Sequence, residues 1–113
     1  MGRLTTHVLD LARGRPAAGL TVELWRADEP AEHLVSRTTN GDGRTDAPLL
    51  EGAVLTPGRY RLVFHAGDYL VAAGLAADFL DRVPIEFRIV DEGQHYHVPL
   101  LLSSFGYSTY RGS

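Results

Sequence analysis

The sequence contains no cysteine and no lysine, and each absence excludes a class of function. Without cysteine the chain has no disulfide framework, no thiol nucleophile and no thiolate ligands for a metal. Its 11 basic residues are all arginine, they are scattered along the chain, and the net charge is -3. Nucleic-acid binding needs clustered positive charge, so we expect no nucleic-acid partner.

Long apolar runs are also absent. A run such as Val98–Leu102 is far shorter than the roughly 18 residues of a membrane-spanning helix. Residues 1–10 lack the sustained apolar core and the small-residue cleavage site of a signal peptide. Met1–Thr6 does match the N-myristoylation pattern, which is short and often arises by chance. The sequence therefore predicts a cytoplasmic protein without a membrane partner.

The 113 residues are 44% hydrophobic and 22% charged, an ordinary globular composition. A chain of this length forms one core and leaves little room for a second. We saw no internal repeat, low-complexity segment or linker in it. The sequence therefore predicts a single domain over residues 1–113.

Short segments of alternating apolar and polar residues, separated by turn residues, recur along the chain. Such spacing is typical of an all-β sandwich or barrel. Asp68–Phe79 is the one stretch with a helical composition, in which Asp68 is expected to cap the helix and Gly74 to end its first turns. This predicts seven or eight short strands and one short helix, close to a Greek-key sandwich. The predicted strands are Leu4–Asp10, Leu20–Ala27, His33–Thr39, residues 59–65, Ile85–Val90, His95–Leu102 and Phe105–Tyr110.

The segment Asn40-Gly41-Asp42-Gly43 has the residues of a tight hairpin turn, since Asn and Gly tolerate positive φ. Its alternating oxygens also suggest a calcium loop. That alternative fails because Arg44 occupies the fifth position, where an oxygen ligand is required. Arg44, at the start of the next segment, is a candidate for clamping a planar, oxygen-rich substrate.

Three of the five histidines are candidates for chemistry. His7 lies on the strand face opposite Leu4, and its position alone is that of an ordinary surface histidine. His95 and His97 share one face of their strand, an arrangement that can deliver two imidazoles to a zinc ion. A metal needs at least a third ligand, which His7 or a distant carboxylate would have to supply. Position alone leaves both readings open.

The C-terminal region is unusual in its apolar and aromatic content. Ser108 in Gly106–Tyr110 superficially suggests a serine-hydrolase elbow, but the second glycine and the strand-to-helix turn are missing, so we reject it as a nucleophile. Aromatic residues continue to Tyr110, whereas terminal residues normally form polar, flexible tails. A packed terminus is therefore expected. Pro99 and Leu101 also make the second face of the last strands apolar, which suggests a subunit interface.

Three segments together resemble a known family. They are Leu4–Asp10 (LTTHVLD), the turn Asp42-Gly43-Arg44, and the stretch from His95 (HYHVPLLLS) through to the final Tyr110–Ser113 (YRGS). This combination resembles the 5-hydroxyisourate hydrolases, the transthyretin-related enzymes of urate breakdown, over the whole chain. The final tetrapeptide is characteristic of these enzymes, and transthyretins lack it. Relatives often carry Phe-Phe-Pro where this chain has Phe79–Pro84, a difference remote from these motifs.

The resemblance implies an all-β fold, a transthyretin-like (prealbumin-like) Greek-key sandwich of two four-stranded sheets with one short helix. It also implies a homotetramer with active sites at the dimer–dimer interface, and neither a cofactor nor a metal. The catalytic residues that it implies are His7, Arg44 and His97. The substrate-binding residues that it implies are Tyr110, Arg111, Gly112 and Ser113.

The implied activity is hydrolysis of 5-hydroxyisourate, a product of urate oxidation, to 2-oxo-4-hydroxy-4-carboxy-5-ureidoimidazoline in purine catabolism. Ring opening needs a deprotonated water, a stabilised oxyanion and a supported leaving nitrogen. We assign water activation mainly to His7, with His97 positioning the water or sharing the proton, although the two roles could be exchanged. Arg44 would bind substrate oxygens, and Tyr110–Ser113 with its terminal carboxylate would shape the pocket. The alternatives are a non-catalytic carrier of a small planar ligand and a structural sandwich module.

Overall fold

Two β-sheets packed face to face form the fold in the computed structural model, which describes residues 2–113. An α-helix, α1 (Ala66–Ala72), follows a strand of the second sheet, and a short 3-10 helix spans Gly52–Val54. The first sheet contains β1 (Arg3–Asp10), β2 (Arg15–Pro16), β5 (Leu50–Glu51), β8 (Tyr96–Leu102) and β9 (Tyr107–Thr109). The second contains β3 (Thr21–Arg26), β4 (Glu32–Thr38), β6 (Gly58–His65) and β7 (Arg82–Ile89).

The strand order confirms the predicted two-sheet sandwich and corrects one strand count. The second sheet has four strands in the order β4-β3-β6-β7, as expected, but the first has five. The extra strand arises because one edge of β1 is shared by several short segments, with β5 pairing at Arg3 and β2 at Leu9. On its other edge β1 pairs in parallel with β8, which aligns Thr5 with His97.

Alternation along the strands places the core between the sheets. In β1, Leu4, Thr6 and Val8 are fully buried, whereas the intervening residues are half-buried on the outer face. The same period of two buries Tyr60, Leu62 and Phe64 of β6 from the opposite side. The outer face of the first sheet is therefore free to carry polar side chains.

The helix is shorter than the sequence predicted and begins earlier. It begins at Ala66 and ends at Ala72, because Gly74 adopts a φ of +73° and the chain closes there with Leu75 N–H donating to the Leu70 carbonyl (2.9 Å). The prediction that Asp68 caps the helix is wrong. Asp68 lies inside the first turn, and no side-chain cap is formed at the preceding His65.

A buried carboxylate ties α1 to the first sheet. Asp10 is 1% exposed at the end of β1, where it accepts hydrogen bonds from Tyr69 Oη (2.5 Å) and from Arg13 Nε (3.0 Å). Burial alone would raise the pKa of Asp10, but these hydrogen bonds outweigh it and the net pKa is lowered. The hydrogen bonds of this charged cluster therefore hold α1 against the end of β1.

The loop predicted as a hairpin turn has a different place in the fold. Asn40–Gly43 is a turn, with Gly43 N–H donating to the Asn40 carbonyl (2.9 Å). It does not join neighbouring strands of one sheet, because it leads from β4 in the second sheet to the edge of β1 in the first.

No helix within residues 2–113 is long and apolar enough to cross a membrane. Met1, included in the predicted domain and in the lipidation pattern, lies outside the described residues.

Candidate active site

The two histidines implied by the resemblance lie on neighbouring strands of the first sheet. His7 is on β1 and His97 on β8, and the parallel register pairs Thr5 with His97 and His7 with Pro99. Both histidines alternate with buried residues and are half-buried on the outer face. The sheet register therefore brings onto one surface two imidazoles that are far apart in sequence.

Arg44 reaches the same surface through the Asn40–Gly43 turn. The Asn40 side-chain oxygen accepts hydrogen bonds from the backbone N–H groups of Asp42 (2.9 Å) and Arg44 (3.2 Å), which shape the turn. The backbone of Arg44 then forms an antiparallel bridge with His7, and the side chain remains exposed. The turn therefore fixes the backbone position of Arg44 and leaves its guanidinium free to bind a ligand.

Gly43 allows this close approach. Its φ is +74°, and it lies so near β1 that a Cβ would stand 2.4 Å from the carbonyl oxygen of Val8. Gly43 also accepts a hydrogen bond from the Val8 N–H (2.8 Å). Any other residue would be strained in this conformation and would push the turn away from the strand.

His97 is held from several sides. Its Nδ1 lies 2.8 Å from the hydroxyl oxygen of Thr5, and its carbonyl accepts a hydrogen bond from Gly112 N–H at 2.7 Å. Burial lowers the pKa of His97, and the nearby positive charge of Arg44 lowers it further. At neutral pH the ring is therefore uncharged and can accept a proton.

The final tetrapeptide folds back over β8. Gly112 bridges His97, while the Arg111 guanidinium lies 4.4 Å from the centre of the Tyr96 ring and donates to the side-chain oxygen of Gln94 (2.9 Å). It also donates to the His95 carbonyl (3.1 Å). The expected packing of the terminus is present at Gly112, whereas the aromatic residues that suggested it, Phe105, Tyr107 and Tyr110, are exposed.

The other residues of the tetrapeptide differ in their environment. Ser113 lines the cleft beside His97, whereas Tyr110 is 58% exposed. Arg111 does not line this cleft, because its guanidinium lies against the Tyr96 ring and donates a hydrogen bond to Gln94. Within one chain, the four predicted substrate-binding residues therefore do not converge on a single point.

An open cleft of about 430 Å³ lies on this outer face. Its wall carries positive charge from Arg3 and Arg44 and a carboxylate from Asp46, so it suits a small polar ligand with several oxygens. His7 is not in the lining, although its backbone is bridged to that of Arg44, which is. The remaining lining residues are Thr5, Thr6, Thr45, Ala47, Pro48, His95, His97 and Ser113.

The zinc alternative finds no third ligand in the described part of the chain. His95 and His97 both line the cleft, but residues 2–113 contain no group of three or more His, Asp or Glu side chains placed to hold a metal. The Nδ1 atom of His97 is also already hydrogen-bonded by Thr5.

Sequence reasoning missed Thr5 and Asp46 among the residues of the cleft. Thr5 was seen only as a strand residue on the face of His7, and a threonine in a strand carries no signal of its own. Asp46 belongs to the irregular segment after Arg44 and is part of no recognisable sequence pattern. Its carboxylate accepts a hydrogen bond from the Asn40 side-chain amide (3.0 Å). Only the register of β1 with β8 could have identified Thr5.

Comparison with known proteins gives a consistent family assignment. The model of the HIUase/Transthyretin family matches residues 4–112. The 5-hydroxyisourate hydrolase 2 of Rhizobium meliloti (strain 1021) is 59% identical over 116 aligned residues, which cover 99% of this chain and 97% of the relative.

Solved structures agree with this match. The 5-hydroxyisourate hydrolase of Klebsiella pneumoniae superposes with a TM-score of 0.86 at 39% identity, covering 100% of both chains. Sea bream transthyretin, solved in complex with thyroxine, superposes with a TM-score of 0.89 at 26% identity, covering 97% of this chain and 94% of its own. The transthyretin-like sandwich expected from the sequence is confirmed.

Proposed function

The chain belongs to the HIUase/Transthyretin family, and on this basis we propose that it is a hydrolase that opens the ring of 5-hydroxyisourate. The Rhizobium meliloti and Klebsiella pneumoniae relatives carry the name of this activity and align over nearly the whole chain. The observation that carries the proposal is the convergence of Arg44 and His97 at one cleft, with His7 bridged to the arginine. The proposed product is 2-oxo-4-hydroxy-4-carboxy-5-ureidoimidazoline, formed in urate catabolism.

The proposed reaction is attack of water on an acyl carbon of the substrate ring. A histidine accepts a proton from the water as the C–O bond forms, electrons move onto the carbonyl oxygen, and the acyl C–N bond then breaks. His7 is assigned the main part in water activation, and His97, uncharged because its pKa is lowered, positions the water or shares the proton. The proton returns to the departing ring nitrogen, so the reaction consumes one water and needs no cofactor.

Arg44 supplies the positive charge for the developing oxyanion. Its side chain is exposed at the cleft and its backbone is held by the bridge to His7, so the guanidinium is available where the charge develops. Removing one donor to an oxyanion costs on the order of 100-fold or more in kcat. The arginine also matches the paired oxygens of a ureide-like substrate.

The final tetrapeptide is proposed to complete the site. Ser113 lines the cleft and is proposed to contact the substrate, and Gly112, which packs on His97 outside the lining, is proposed to hold the tail there. Tyr110 is exposed and is proposed to bind substrate where a second copy of the chain covers the cleft. Arg111 is proposed to support substrate binding by fastening the tail to Tyr96 and Gln94.

A homotetramer with sites between dimers is part of the proposal. The open cleft lies on a sheet face that also carries half-buried Leu9 and Leu101, so a second copy could cover both. Residues 1–113 are proposed to form one domain around the single core described above, since the family match leaves only the terminal residues unmatched. A cytoplasmic location is proposed from the sequence pattern alone.

The test is an ultraviolet assay with freshly made substrate. Urate oxidase converts urate to 5-hydroxyisourate, and the decay of its absorbance is followed with and without the protein. We expect clear acceleration, and loss of most of it in His7→Asn, Arg44→Gln and His97→Asn. His33→Asn, on β4 of the other sheet, is the matched control and should keep its rate. Decay equal to the spontaneous rate would favour the carrier of a planar ligand instead.

A further inference from the structure

The ring of His97 is contacted at two opposite edges. On one side its Nδ1 lies 2.8 Å from Thr5 Oγ1. On the other side the backbone of Gly112 approaches so closely that a Cβ built there would lie 2.6 Å from Cδ2. Nδ1 and Cδ2 are the two ring atoms bonded to Cγ, so both contacts hold the base of the ring. Neither contact engages the outer edge, formed by Cε1 and Nε2, and His97 lines the cleft.

These two contacts are not equivalent when the ring turns over. A half-turn about the Cβ–Cγ bond exchanges Nδ1 with Cδ2 and Nε2 with Cε1. The Gly112 contact is one of shape and accepts either orientation equally well. Only the hydroxyl of Thr5 distinguishes them, because it hydrogen-bonds a nitrogen and not a carbon. One side chain therefore decides which ring atom faces the cleft.

We infer that Thr5 is a positioning residue that accepts a hydrogen bond from Nδ1–H of His97 and so keeps the Nε2 lone pair directed into the cleft. The hydrogen bond made by one ring nitrogen fixes the state of the other. The inference rests on the proposed function only in that His97 must accept or relay a proton there. Its structural content, the tautomer and orientation of the ring, stands independently of any substrate.

The charges around the ring favour this tautomer over its alternative. Arg3 and Arg44 line the same cleft, and the charge of Arg44 helps to lower the pKa of His97. A lone pair facing these cations is favourable, whereas an N–H in the same place would point its positive end at them. Asp46, the exposed His95 and Ser113 with its terminal carboxylate carry the other titratable groups in the lining of this cleft. The carboxylate of Asp46 is engaged by the Asn40 amide.

The neighbouring threonine provides a matched control. Thr6 is 1% exposed on the inner face of the same strand, and its hydroxyl donates to the carbonyl of Val98 at 2.7 Å. Thr5 and Thr6 therefore bridge the same two strands with the same chemical group, but only Thr5 reaches the imidazole. A general effect of removing a hydroxyl from β1 will appear in both Thr5→Val and Thr6→Val. An effect on the His97 ring will appear in Thr5→Val alone.

The experiment combines nitrogen NMR with kinetics. The ¹⁵N shifts of His97, assigned with His97→Asn, are measured without substrate in the unaltered protein, Thr5→Ser, Thr5→Val and Thr6→Val. We expect the Nδ1–H tautomer to dominate in the first two and in Thr6→Val, and Nε2–H to become populated in Thr5→Val. With 5-hydroxyisourate we expect Thr5→Val to lower kcat about tenfold with KM little changed, and Thr5→Ser to restore most of kcat.

Two results would overturn the inference. One is a dominant Nε2–H tautomer in the unaltered protein, which would mean that Thr5 donates to Nδ1. The other is a set of His97 shifts that does not differ between Thr5→Val and Thr6→Val. Failure of the proposed function is recognised separately, because the unaltered protein would then leave 5-hydroxyisourate decay unchanged while the tautomer measurement still gave its answer.

Discussion

His7 and Arg44 are joined by an antiparallel backbone bridge at the edge of β1. The strand that carries the histidine therefore also sets the backbone position of the arginine, and the two backbone segments cannot separate without breaking main-chain hydrogen bonds. The neighbouring bond from Val8 N–H to the Gly43 carbonyl (2.8 Å) strengthens this link. A site held in this way tolerates changes in the loops beyond the turn better than changes in the turn itself.

Gly43→Ala tests this link. The substitution places a Cβ in a conformation with φ +74° and 2.4 Å from the Val8 carbonyl oxygen, so we expect the turn to shift away from β1. The cost to the free energy of unfolding should be about 2 kcal/mol or more, with most of the hydrolase activity lost. Gly41→Ala is the control, since a Cβ there meets nothing within 4 Å. Equal activity in both variants, measured with equal stability, would contradict the proposed role of the turn.

Arg44→Gln should raise the pKa of His97. The positive charge of Arg44 is one cause of the lowered pKa, after burial, and its removal relaxes that effect. The uncharged, proton-accepting form of His97 is lost when the pH falls below its pKa, so in the variant this loss should occur at higher pH. The ¹H–¹⁵N titration of His97 measures the shift directly. Arg37→Gln, on β4 of the other sheet, should leave the titration unchanged.

Gly112→Ala should reduce activity with little change in stability. An added Cβ would lie 2.6 Å from Cδ2 of His97 and must displace either the ring or the tail. The tail contributes little to the core, so the free energy of unfolding, measured in urea, should change by less than about 1 kcal/mol. Gly106→Ala is the control, because nothing lies within 4 Å of its Cβ position. Undiminished kcat in Gly112→Ala would show that this contact is dispensable.

Residues added after Ser113 should harm activity more than residues added before Met1. Ser113 lines the cleft, so a peptide attached to it has to pass through or over the site. The comparison needs the same short Gly-Ser peptide at either end and the ultraviolet assay. Equal rates would mean that the end of the chain is not required in its present place.

Asp10→Asn should lower the free energy of unfolding by about 2 kcal/mol at neutral pH, since charged hydrogen bonds to Tyr69 and Arg13 are lost. The pKa of Asp10 is lowered in the fold. Its contribution is therefore complete above the ordinary Asp pKa of about 3.9 and disappears as the pH falls through the lowered value. Urea unfolding at several pH values should show the two proteins converging in acid. Asp78→Asn, at an exposed position, should show no such difference.

The alternation of residues was sufficient to predict the sandwich. Segments such as Leu4–Asp10 and residues 59–65 became β1 and β6 almost without change, because their period of two matches burial on one face. The helix was predicted too long, since Ala- and Leu-rich composition continues beyond Ala72 while Gly74 closes the helix there. Composition indicates only a tendency to form helix, and the positive φ of Gly74 ends the helix despite it.

The site was predicted less completely, for a reason of geometry. His7, Arg44 and His97 were named through a family resemblance, but neither the bridge of Arg44 to β1 nor the hydrogen bond from Thr5 follows from local patterns. Both depend on the pairing of segments distant in sequence. Arg111 illustrates the same limit, because the resemblance implied a substrate-binding residue, whereas its guanidinium lies against Tyr96 and donates to Gln94.

The parallel pairing of β1 with β8 also has a consequence for biosynthesis. On the ribosome β1 emerges roughly ninety residues before its partner, Tyr96–Leu102. Until that partner has emerged, β1 has an unsatisfied edge and no site exists, so the protein cannot become active before β8 is available. Long-range pairing of this kind also slows folding. Nascent chains that stall before residue 96 should therefore be inactive and prone to pair through β1 with other chains.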